Sequence, residues 1–248
     1  MNITNKTVLI TGGGSGIGFE TAKILSERNN KIIIVGRTES KLNIAAEKLK
    51  NITVIPCDIN STVDVERLVK KVSSDHPELS ILINNAGRGF AYTHGEAASA
   101  FEKATEEFAT NYFSVLRITE AFLSLLKSQL EAAIVNVTSI GAISPSANLP
   151  SYCDSKAAVH SYTLSLRHTL AKDTAIKVFE LMPSLVNTEF SREIGGEKGI
   201  SPIEVATVLL AGMEQDVFEI YAGETAGFRK FYLSSPDEAF AMMNQVKA

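Results

Sequence analysis

The sequence predicts an α/β fold in which one doubly wound parallel sheet is covered by helices on both faces. Two observations carry this prediction. Short, apolar, β-branched runs alternate along the chain with longer stretches of helical spacing. The short runs are almost continuously apolar, as is typical of strands that are buried on both faces. Since no Pro/Gly/Ser-rich linker divides the chain, we expect a single domain over residues 1–248.

Seven of the short runs are predicted to be strands. They cover residues 7–11, 31–35, 52–57, 81–84, 133–138, 176–182 and 217–222. The predicted helices cover residues 17–28, 39–50, 63–74, 101–127, 157–171 and 202–214. Right-handed crossovers between such strands give a Rossmann-like sheet of about seven strands.

Three segments without periodicity follow predicted strands, at residues 88–96, 141–150 and 184–199. The crevice of an open parallel sheet lies beyond the carboxyl ends of its strands. We therefore expect these segments to form the walls of a substrate pocket, with a lid within residues 184–200.

Composition and charge restrict the possible partners. The chain has 248 residues, 45% of them hydrophobic, and a net charge of -4, which provides no basic surface for nucleic acid. Cys57 and Cys153 lack the spacing of a metal site. The sequence has no signal-peptide pattern and no apolar run long enough to cross a bilayer. We expect a cytoplasmic protein that acts on a small molecule, without a metal, a membrane or nucleic acid.

A glycine-rich stretch, Thr11 to Gly18, follows the first predicted strand and precedes a helix. Glycines allow a tight turn there, and they let backbone amides at a helix N-terminus approach a pyrophosphate. A plain turn is the alternative interpretation. The position of the stretch within a βαβ unit favours phosphate binding.

Several motifs occur in an order that resembles the short-chain dehydrogenase/reductase family. The stretch Thr11 to Gly18 reads Thr-Gly-x-x-x-Gly-x-Gly, and Asn-Asn-Ala-Gly follows at residues 84–87. Ser139 and then Tyr152-x-x-x-Lys156 complete the series. The resemblance implies an NAD(P)(H)-dependent oxidoreductase that interconverts a carbonyl and a secondary alcohol.

The resemblance also implies which residues contact the cofactor. Asp58 would meet the adenine, Lys156 the nicotinamide ribose, and the segment after residue 183 the carboxamide. Ser184 replaces the usual glycine of that segment, which puts its local backbone in doubt, since serine tolerates positive φ poorly. Residues 84–87 have turn chemistry at a strand end as an alternative role, above all Asn84. The implied cofactor residues are Gly12, Ser15, Ile17, Arg37, Asp58, Asn85, Ala86, Gly87, Lys156, Pro183, Val186 and Thr188.

The end of the second strand decides between NADP(H) and NAD(H). An acid there would accept a hydrogen bond from the ribose 2′-hydroxyl and repel a 2′-phosphate. The chain instead has Arg37 and Thr38, which can offer a guanidinium fork and a hydroxyl to the phosphate. NADP(H) is therefore predicted to be preferred. Arg37 would otherwise be a solvated side chain or stack on adenine.

Tyr152 and Lys156 are predicted to carry the proton chemistry. Four residues apart on a helix, they share one face, so the ammonium is expected to lower the pKa of the phenol. Ser139 can donate a hydrogen bond to the substrate oxygen. The resemblance implies that Asn111 holds a water in a proton relay to Lys156. Ser151 and Asp154 have the S-x-x-D spacing of a helix N-cap, which would place Tyr152 in a first helical turn.

Other functions and assemblies remain open at this point. A regulator of the same fold would bind NADP(H) with little or no turnover, but it would be expected to lack one of the proposed catalytic residues. A Rossmann-like methyltransferase would have an acid after the second strand. The resemblance implies a homodimer, and possibly a tetramer. The aromatic stretch at residues 228–232 and the stretch at 240–243 are more typical of a core or an interface than of a site. The substrate is open. Residues 141–150 offer no cationic partner for a carboxylate, and Arg88 and Arg192 are only distant candidates for that role.

Overall fold

A computed structural model describes residues 1–245 of the chain. Its seven strands are β1 Thr7–Thr11, β2 Lys31–Gly36, β3 Ile52–Pro56, β4 Leu79–Asn84, β5 Ala132–Val137, β6 Ile176–Pro183 and β7 Glu219–Ala222. They form one parallel sheet in the order β3-β2-β1-β4-β5-β6-β7. The predicted fold is confirmed.

The described helices connect the strands and extend past the last one. They are α1 Gly16–Ser26, α2 Glu39–Ala46, α3 Thr62–Asp75, α4 Ala100–Phe108, α5 Ser114–Lys127, α6 Pro150–Leu170, α7 Pro202–Glu214, α8 Thr225–Ser234 and α9 Pro236–Asn244. The last two were not predicted as helices, and residues 246–248 of the predicted C-terminal segment lie outside the described residues.

The strands separate two hydrophobic layers because alternate side chains point to opposite faces of the sheet. Val8 and Ile10 of β1 pack in one layer, which includes Leu25 of α1 and residues of α7. Leu9 packs in the other, which includes Phe122 of α5 and residues of α3. Burial on both sides explains why the strand sequences are continuously apolar.

The predicted helix over residues 101–127 is interrupted. A single π-helical turn, Ala109–Phe113, separates α4 from α5. Such turns insert one extra residue per turn and frequently occur at functional sites. Asn111 lies within this turn.

Helix α6 begins seven residues before its predicted start. Pro150 occupies its first turn, where a proline loses no hydrogen bond, and Leu149 is the N-cap. The predicted capping by Ser151 and Asp154 is therefore wrong, because Ser151 already lies inside the helix and its hydroxyl bonds elsewhere. Tyr152 nevertheless lies in the first turn.

The strand order reverses at β1, whose neighbours are β2 and β4. In a doubly wound sheet, the helices leave the carboxyl ends of such strands toward opposite faces and open a crevice between them. The turns that follow β1, β4, β5 and β6 meet at this edge.

Candidate active site

The glycine-rich turn lies directly against the turn after β4. Gly12 has a φ of +67°, and a Cβ atom added to it would lie 3.0 Å from the Cα of Ala86. Gly16 also has a positive φ, of +55°. The first turn of α1 contains no acidic side chain, and Ser15 at its N-cap makes no side-chain cap. The backbone amides of this turn therefore fit the pyrophosphate of a dinucleotide.

Asn85 ties the two turns together. Its side-chain amide donates to the carbonyls of Thr11 at 3.0 Å and Gly12 at 3.2 Å. In return, the Thr11 hydroxyl accepts the backbone N–H groups of Asn85 and Ala86 at 3.0 and 3.1 Å. Four hydrogen bonds thus hold these two turns together at the edge of the crevice.

Asn84 has a different role from its neighbours. Its side chain is buried and donates to Asn136 at 2.9 Å and to Thr119 at 3.1 Å. These bonds join β4 to β5 and α5 inside the protein, as expected of a bracing residue.

A cavity of about 870 Å³ opens at this edge of the sheet. All three predicted wall segments contribute to it, and so does Met243 of α9, which the sequence did not assign to the site. The predicted site residues that line it are Gly12, Ser15, Ile17, Asn85, Gly87, Ser139, Tyr152, Lys156, Pro183, Val186 and Thr188. Those that do not line it are Arg37, Asp58, Ala86 and Asn111.

Arg37 and Asp58 lie after β2 and β3, beyond the end of the cavity. Arg37 is exposed, and within residues 1–245 no side-chain hydrogen bond or salt bridge is formed by its guanidinium. The Asp58 carboxylate accepts the backbone N–H of Asn60 at 3.0 Å and so orders the turn after β3.

Tyr152 and Lys156 share one wall of the cavity. The Lys156 side chain is only 4% exposed, and its Nζ donates to the carbonyl of Val137 at 2.8 Å. Nζ lies 5.7 Å from the centre of the Tyr152 ring. Burial lowers the pKa of Lys156 to about 8.

The expected lowering of the phenol pKa by Lys156 is not found in the structure. Burial raises the pKa of Tyr152, and the neighbouring Ser139 hydroxyl opposes this effect only in part. The physical reason is desolvation, which disfavours the phenolate, while the ammonium is engaged by the Val137 carbonyl. Both groups therefore favour their neutral forms more than they would in water.

Ser139 is oriented by its own turn. It is the N-cap of a short 3₁₀ turn, and its Oγ accepts the backbone N–H of Gly141 at 3.1 Å. Because the oxygen accepts that bond, the hydroxyl hydrogen is free to donate into the cavity.

Asn111 anchors the segment that follows Gly87. Its Oδ1 accepts the Arg88 N–H at 2.7 Å, and its Nδ2 donates to the Arg88 carbonyl at 2.8 Å and to Ser155 at 2.9 Å. Both amide hydrogens are thus used within the protein. A role for Asn111 in a proton relay stays a prediction.

Glu107 is a functional candidate that sequence reasoning missed. Its carboxylate is fully buried, accepts the Phe90 N–H at 2.7 Å and accepts a hydrogen bond from Ser151. The Ser151 oxygen is also 2.7 Å from the hydroxyl of Tyr92, which lines the cavity. Glu107 and Asn111 are one turn apart, so both hold the same wall segment. That spacing is the only sequence signal for the pair.

The substitution at Ser184 does not disturb the segment after β6. Its φ is not positive, and its backbone N–H donates to the Ala222 carbonyl at 3.1 Å, as in a continued strand. Farther along, Thr188 lies against the glycine-rich turn, since a Cβ added to Gly16 would be 3.2 Å from its Cγ2.

Residues 1–245 contain no cluster of three His, Cys, Asp or Glu side chains that could hold a metal ion. None of the described helices is long and apolar enough to span a bilayer.

Known proteins resemble this chain over most of its length. The family short chain dehydrogenase matches residues 6–199. The uncharacterized oxidoreductase DltE of Bacillus subtilis (strain 168) is 38% identical, with 98% of each chain covered.

Two solved structures add the cofactor class. A short chain dehydrogenase from Burkholderia cenocepacia J2315 in complex with NADP has a TM-score of 0.86 at 27% identity, covering 99% of this chain and 100% of its own. A 3-ketoacyl-(acyl-carrier-protein) reductase from Brucella melitensis complexed with NADH has a TM-score of 0.80 at 26% identity, covering 90% and 100%. With the family pattern matched from β1 to beyond β6, this chain belongs to the short-chain dehydrogenase/reductase family and is an NAD(P)-dependent oxidoreductase.

Proposed function

We propose that this chain is an NADP(H)-preferring enzyme that interconverts a carbonyl and a secondary alcohol, with Tyr152 as general acid and base. The observation that carries the proposal is that Tyr152, Lys156 and Ser139 line the same cavity as the glycine-rich turn. The family alone does not assign these roles, because a fold by itself implies no chemistry.

Ser139, Tyr152 and Lys156 have different roles in the proposed proton transfer. When bound, the nicotinamide ring supplies or takes up the hydride. Ser139 donates its free hydroxyl hydrogen to the substrate oxygen and holds it near Tyr152. Tyr152 then gives its proton to that oxygen in reduction, and the charge of Lys156 stabilises the phenolate that forms. The raised pKa of Tyr152 keeps the phenol protonated at neutral pH, which suits the reductive direction.

NADP(H) preference is supported by the free charge of Arg37. The side chain is exposed and follows the carboxyl end of β2 directly, and neither Arg37 nor the next residue, Thr38, is an acid. Hydrogen bonds to charged groups contribute about 1.5–3 kcal/mol, so Arg37→Glu should weaken NADPH binding roughly tenfold to hundredfold and spare NADH. Lys48→Glu, which makes the same charge change on an exposed side chain, should alter neither affinity. An Arg37→Glu protein with unchanged preference would remove this argument.

Turnover separates the proposed enzyme from the alternative of a regulator. NADPH consumption should be measured with a panel of ketones and aldehydes, and NADPH binding should be measured in parallel. We expect consumption with at least one class of carbonyl compound. Tight binding without turnover on every class would instead favour the regulatory alternative.

Three further statements stay predictions from the sequence. They are a lid within residues 184–200, a homodimer, and a location in the cytoplasm. For the lid, the support is that Leu185, Phe190 and Ile194 line the cavity, and that the Phe190 ring lies 5.7 Å from the Tyr152 ring, centre to centre.

A further inference from the structure

Helix α9 closes one side of the cavity from outside the region that the family pattern covers. The matched region ends at residue 199, whereas Met243 near the end of α9 lines the cavity together with Tyr152 and Ser139. Its neighbour Met242 is 50% exposed and is not part of the lining. The side chain of Met243 therefore points into the cavity, and the side chain of Met242 points into solvent.

A side-chain clamp fixes the end of this helix. The Oδ1 of Asn244 accepts the backbone N–H of Ala147 at 2.6 Å, and its Nδ2 donates to the carbonyl of Pro145 at 3.0 Å. The amide thus pairs with the 145–147 backbone as a neighbouring strand would. Since Ser146, between the two paired residues, also lines the cavity, the clamp holds Met243 against the pocket wall.

The base of the α8–α9 unit is also anchored. Ala239 of α9 is fully buried, Phe228 of α8 is 6% exposed, and the Thr225 hydroxyl donates to the carbonyl of Ala222 at the end of β7. The α8–α9 unit is thus attached to the rest of the protein at both ends, at Thr225 and at Asn244.

The charge of the lining restricts what can enter. Among the described residues, Lys156 is the sole cationic side chain of the cavity, and its ammonium is already bound to the Val137 carbonyl. The two acidic lining residues are Glu189 and Glu193. Arg88, an earlier candidate for a carboxylate partner, lies outside the lining and pairs with Glu106 at 2.8 Å. Glu189 is paired with Lys41 at 3.4 Å, whereas Glu193 has no salt bridge among the described residues. A substrate carboxylate or phosphate would find no free cation among the lining residues and would meet the charge of Glu193.

The part of the lining away from the glycine-rich turn is mostly apolar. Its apolar members are Ala91, Ile140, Leu149, Leu185, Phe190, Ile194 and Met243, and its polar members include Tyr92, Thr93, Ser146, Asn148, Glu189 and Glu193. Such a surface gains free energy from burying the apolar substituent of a ligand.

We propose that the substrate is an uncharged carbonyl compound with an apolar substituent, and that Met243, held by the Asn244 clamp, limits the size of that substituent. The inference rests on the proposed reductase function. It goes beyond that function in naming the substrate class and the residue that selects within it.

Size selection is tested with a series of 2-alkanones from 2-butanone to 2-decanone. The ratio of kcat/KM for 2-decanone to that for 2-butanone should rise about tenfold in Met243→Ala and fall about tenfold in Met243→Trp, as one or two methylenes in an apolar pocket allow. Asn244→Ala should move the ratio in the same direction as Met243→Ala. Met242→Ala is the matched control and should leave it unchanged. An equal ratio in wild type, Met243→Ala and Met243→Trp would overturn the role of Met243.

Charge selection is tested with 2-octanone and 7-oxooctanoate, which differ only in the terminal group. We expect kcat/KM to be at least about tenfold lower for the carboxylate, because it would be buried without a partner. Equal or better reduction of 7-oxooctanoate would overturn the proposed substrate class.

Binding without turnover distinguishes the inference from the proposed function. The change in fluorescence of bound NADPH on adding 2-octanone reports occupancy of the pocket even if no reduction occurs. If wild type turns over no carbonyl compound, the reductase proposal fails. In that case, ketone binding that still depends on Met243 supports the pocket assignment, and binding that ignores Met243 contradicts it.

Discussion

At the scale of single residues, burial sets the protonation of the two proposed catalytic groups. The pKa of Lys156 is lowered to about 8, so its charge is present below that pH and is lost as pH rises through it. The pKa of Tyr152 is raised, so the phenol stays protonated over the same range. Loss of activity above neutrality would therefore report Lys156 and not Tyr152.

The pH profile of kcat/KM for the carbonyl substrate, at saturating NADPH, tests this assignment in the reductive direction. This parameter includes the proton transfer and reports ionisations of the enzyme form that binds the carbonyl compound. It should be constant near neutrality and fall above a pH of about 8, because a neutral Lys156 no longer stabilises the phenolate. A profile that stays flat well past that pH would show that the lysine charge is not needed.

The buried carboxyl group of Glu107 is expected to make the stability of the fold depend on pH. Burial raises the pKa of its carboxyl, as does the charge of Asp154, while its hydrogen bonds to Ser151 and Phe90 and the charge of Arg88 act in the opposite direction. Because the folded pKa lies above the unfolded value, the folded state holds more protons, and this group costs stability as pH rises from acidic to neutral.

The neutral variant Glu107→Gln should remove that cost. We expect the stability of wild type minus that of Glu107→Gln to be larger at acidic than at neutral pH, measured by urea unfolding. A difference that does not change with pH would mean that Glu107 does not titrate differently in the two states. Glu107→Ala should be destabilised by about 1–3 kcal/mol at either pH, because the Phe90 N–H and the Ser151 hydroxyl lose their acceptor.

Order along the chain explains which residues could be predicted and which could not. Gly12 and Ser139 follow β1 and β5 at the carboxyl edge, so placing the strands also placed them. Tyr152 and Lys156 lie within α6 and were predicted from the order of the family motifs. Glu107 reads as an ordinary acid on an amphipathic helix, since its burial depends on the path of residues 88–92. That path is a tertiary feature without local periodicity.

At the scale of elements, the backbone shape of the glycine-rich turn requires glycine at Gly12, where the φ is positive and the backbone of Ala86 lies close. Gly12→Ala would have to hold an alanine at a φ of +67°, with its Cβ 3.0 Å from the backbone of Ala86. We expect the turn to move and NADPH binding to weaken at least about tenfold, since strain of this kind costs roughly 1–3 kcal/mol.

Gly227→Ala is the matched control for that experiment. Gly227 lies in α8 with nothing within 4 Å of an added Cβ, so this variant should bind NADPH normally. It should also gain up to about 1 kcal/mol of stability, because alanine favours a helix. Normal NADPH affinity in Gly12→Ala, measured by fluorescence titration, would contradict the proposed binding of the cofactor by the glycine-rich turn.

Element types were easier to predict than element ends. All seven strands were placed within two residues of their bounds, because each is a short apolar run and the central strands are buried on both faces. The π-helical turn at Ala109–Phe113 was missed because its residues keep helical spacing. Helix α9 was missed because its apolar residues near Met243 face the cavity and solvent instead of the main core, so their spacing resembled an interface.

At the scale of the whole molecule, large apolar side chains are exposed on α4, on the π-helical turn before α5 and on α6. Phe101 of α4 is 80% exposed, Phe113 before α5 is 54% exposed, and Leu164 of α6 is 39% exposed. The homodimer that the family resemblance implies would have to bury apolar side chains of this kind. Isolated exposed apolar residues need no explanation, but a shared face on neighbouring helices is typical of an interface.

The predicted homodimer is checked by sedimentation equilibrium. Wild type should sediment as a dimer or larger, and Phe113→Glu should shift it toward the monomer by placing charges in the interface. Leu130→Glu changes a fully exposed apolar residue beyond the end of α5 and should leave the assembly unchanged. A monomeric wild type would exclude the homodimer.

The proposed mechanism depends most directly on Tyr152, because this residue would pass the proton to the substrate oxygen. The decisive measurement compares Tyr152→Phe with wild type for reduction of the best carbonyl substrate and for NADPH affinity. The variant keeps the aromatic ring, so NADPH affinity should stay within about twofold while kcat falls by roughly 10²–10⁴, the usual contribution of a general acid. Substantial residual turnover with normal NADPH binding would show that the proton comes from another group and would contradict the proposed mechanism.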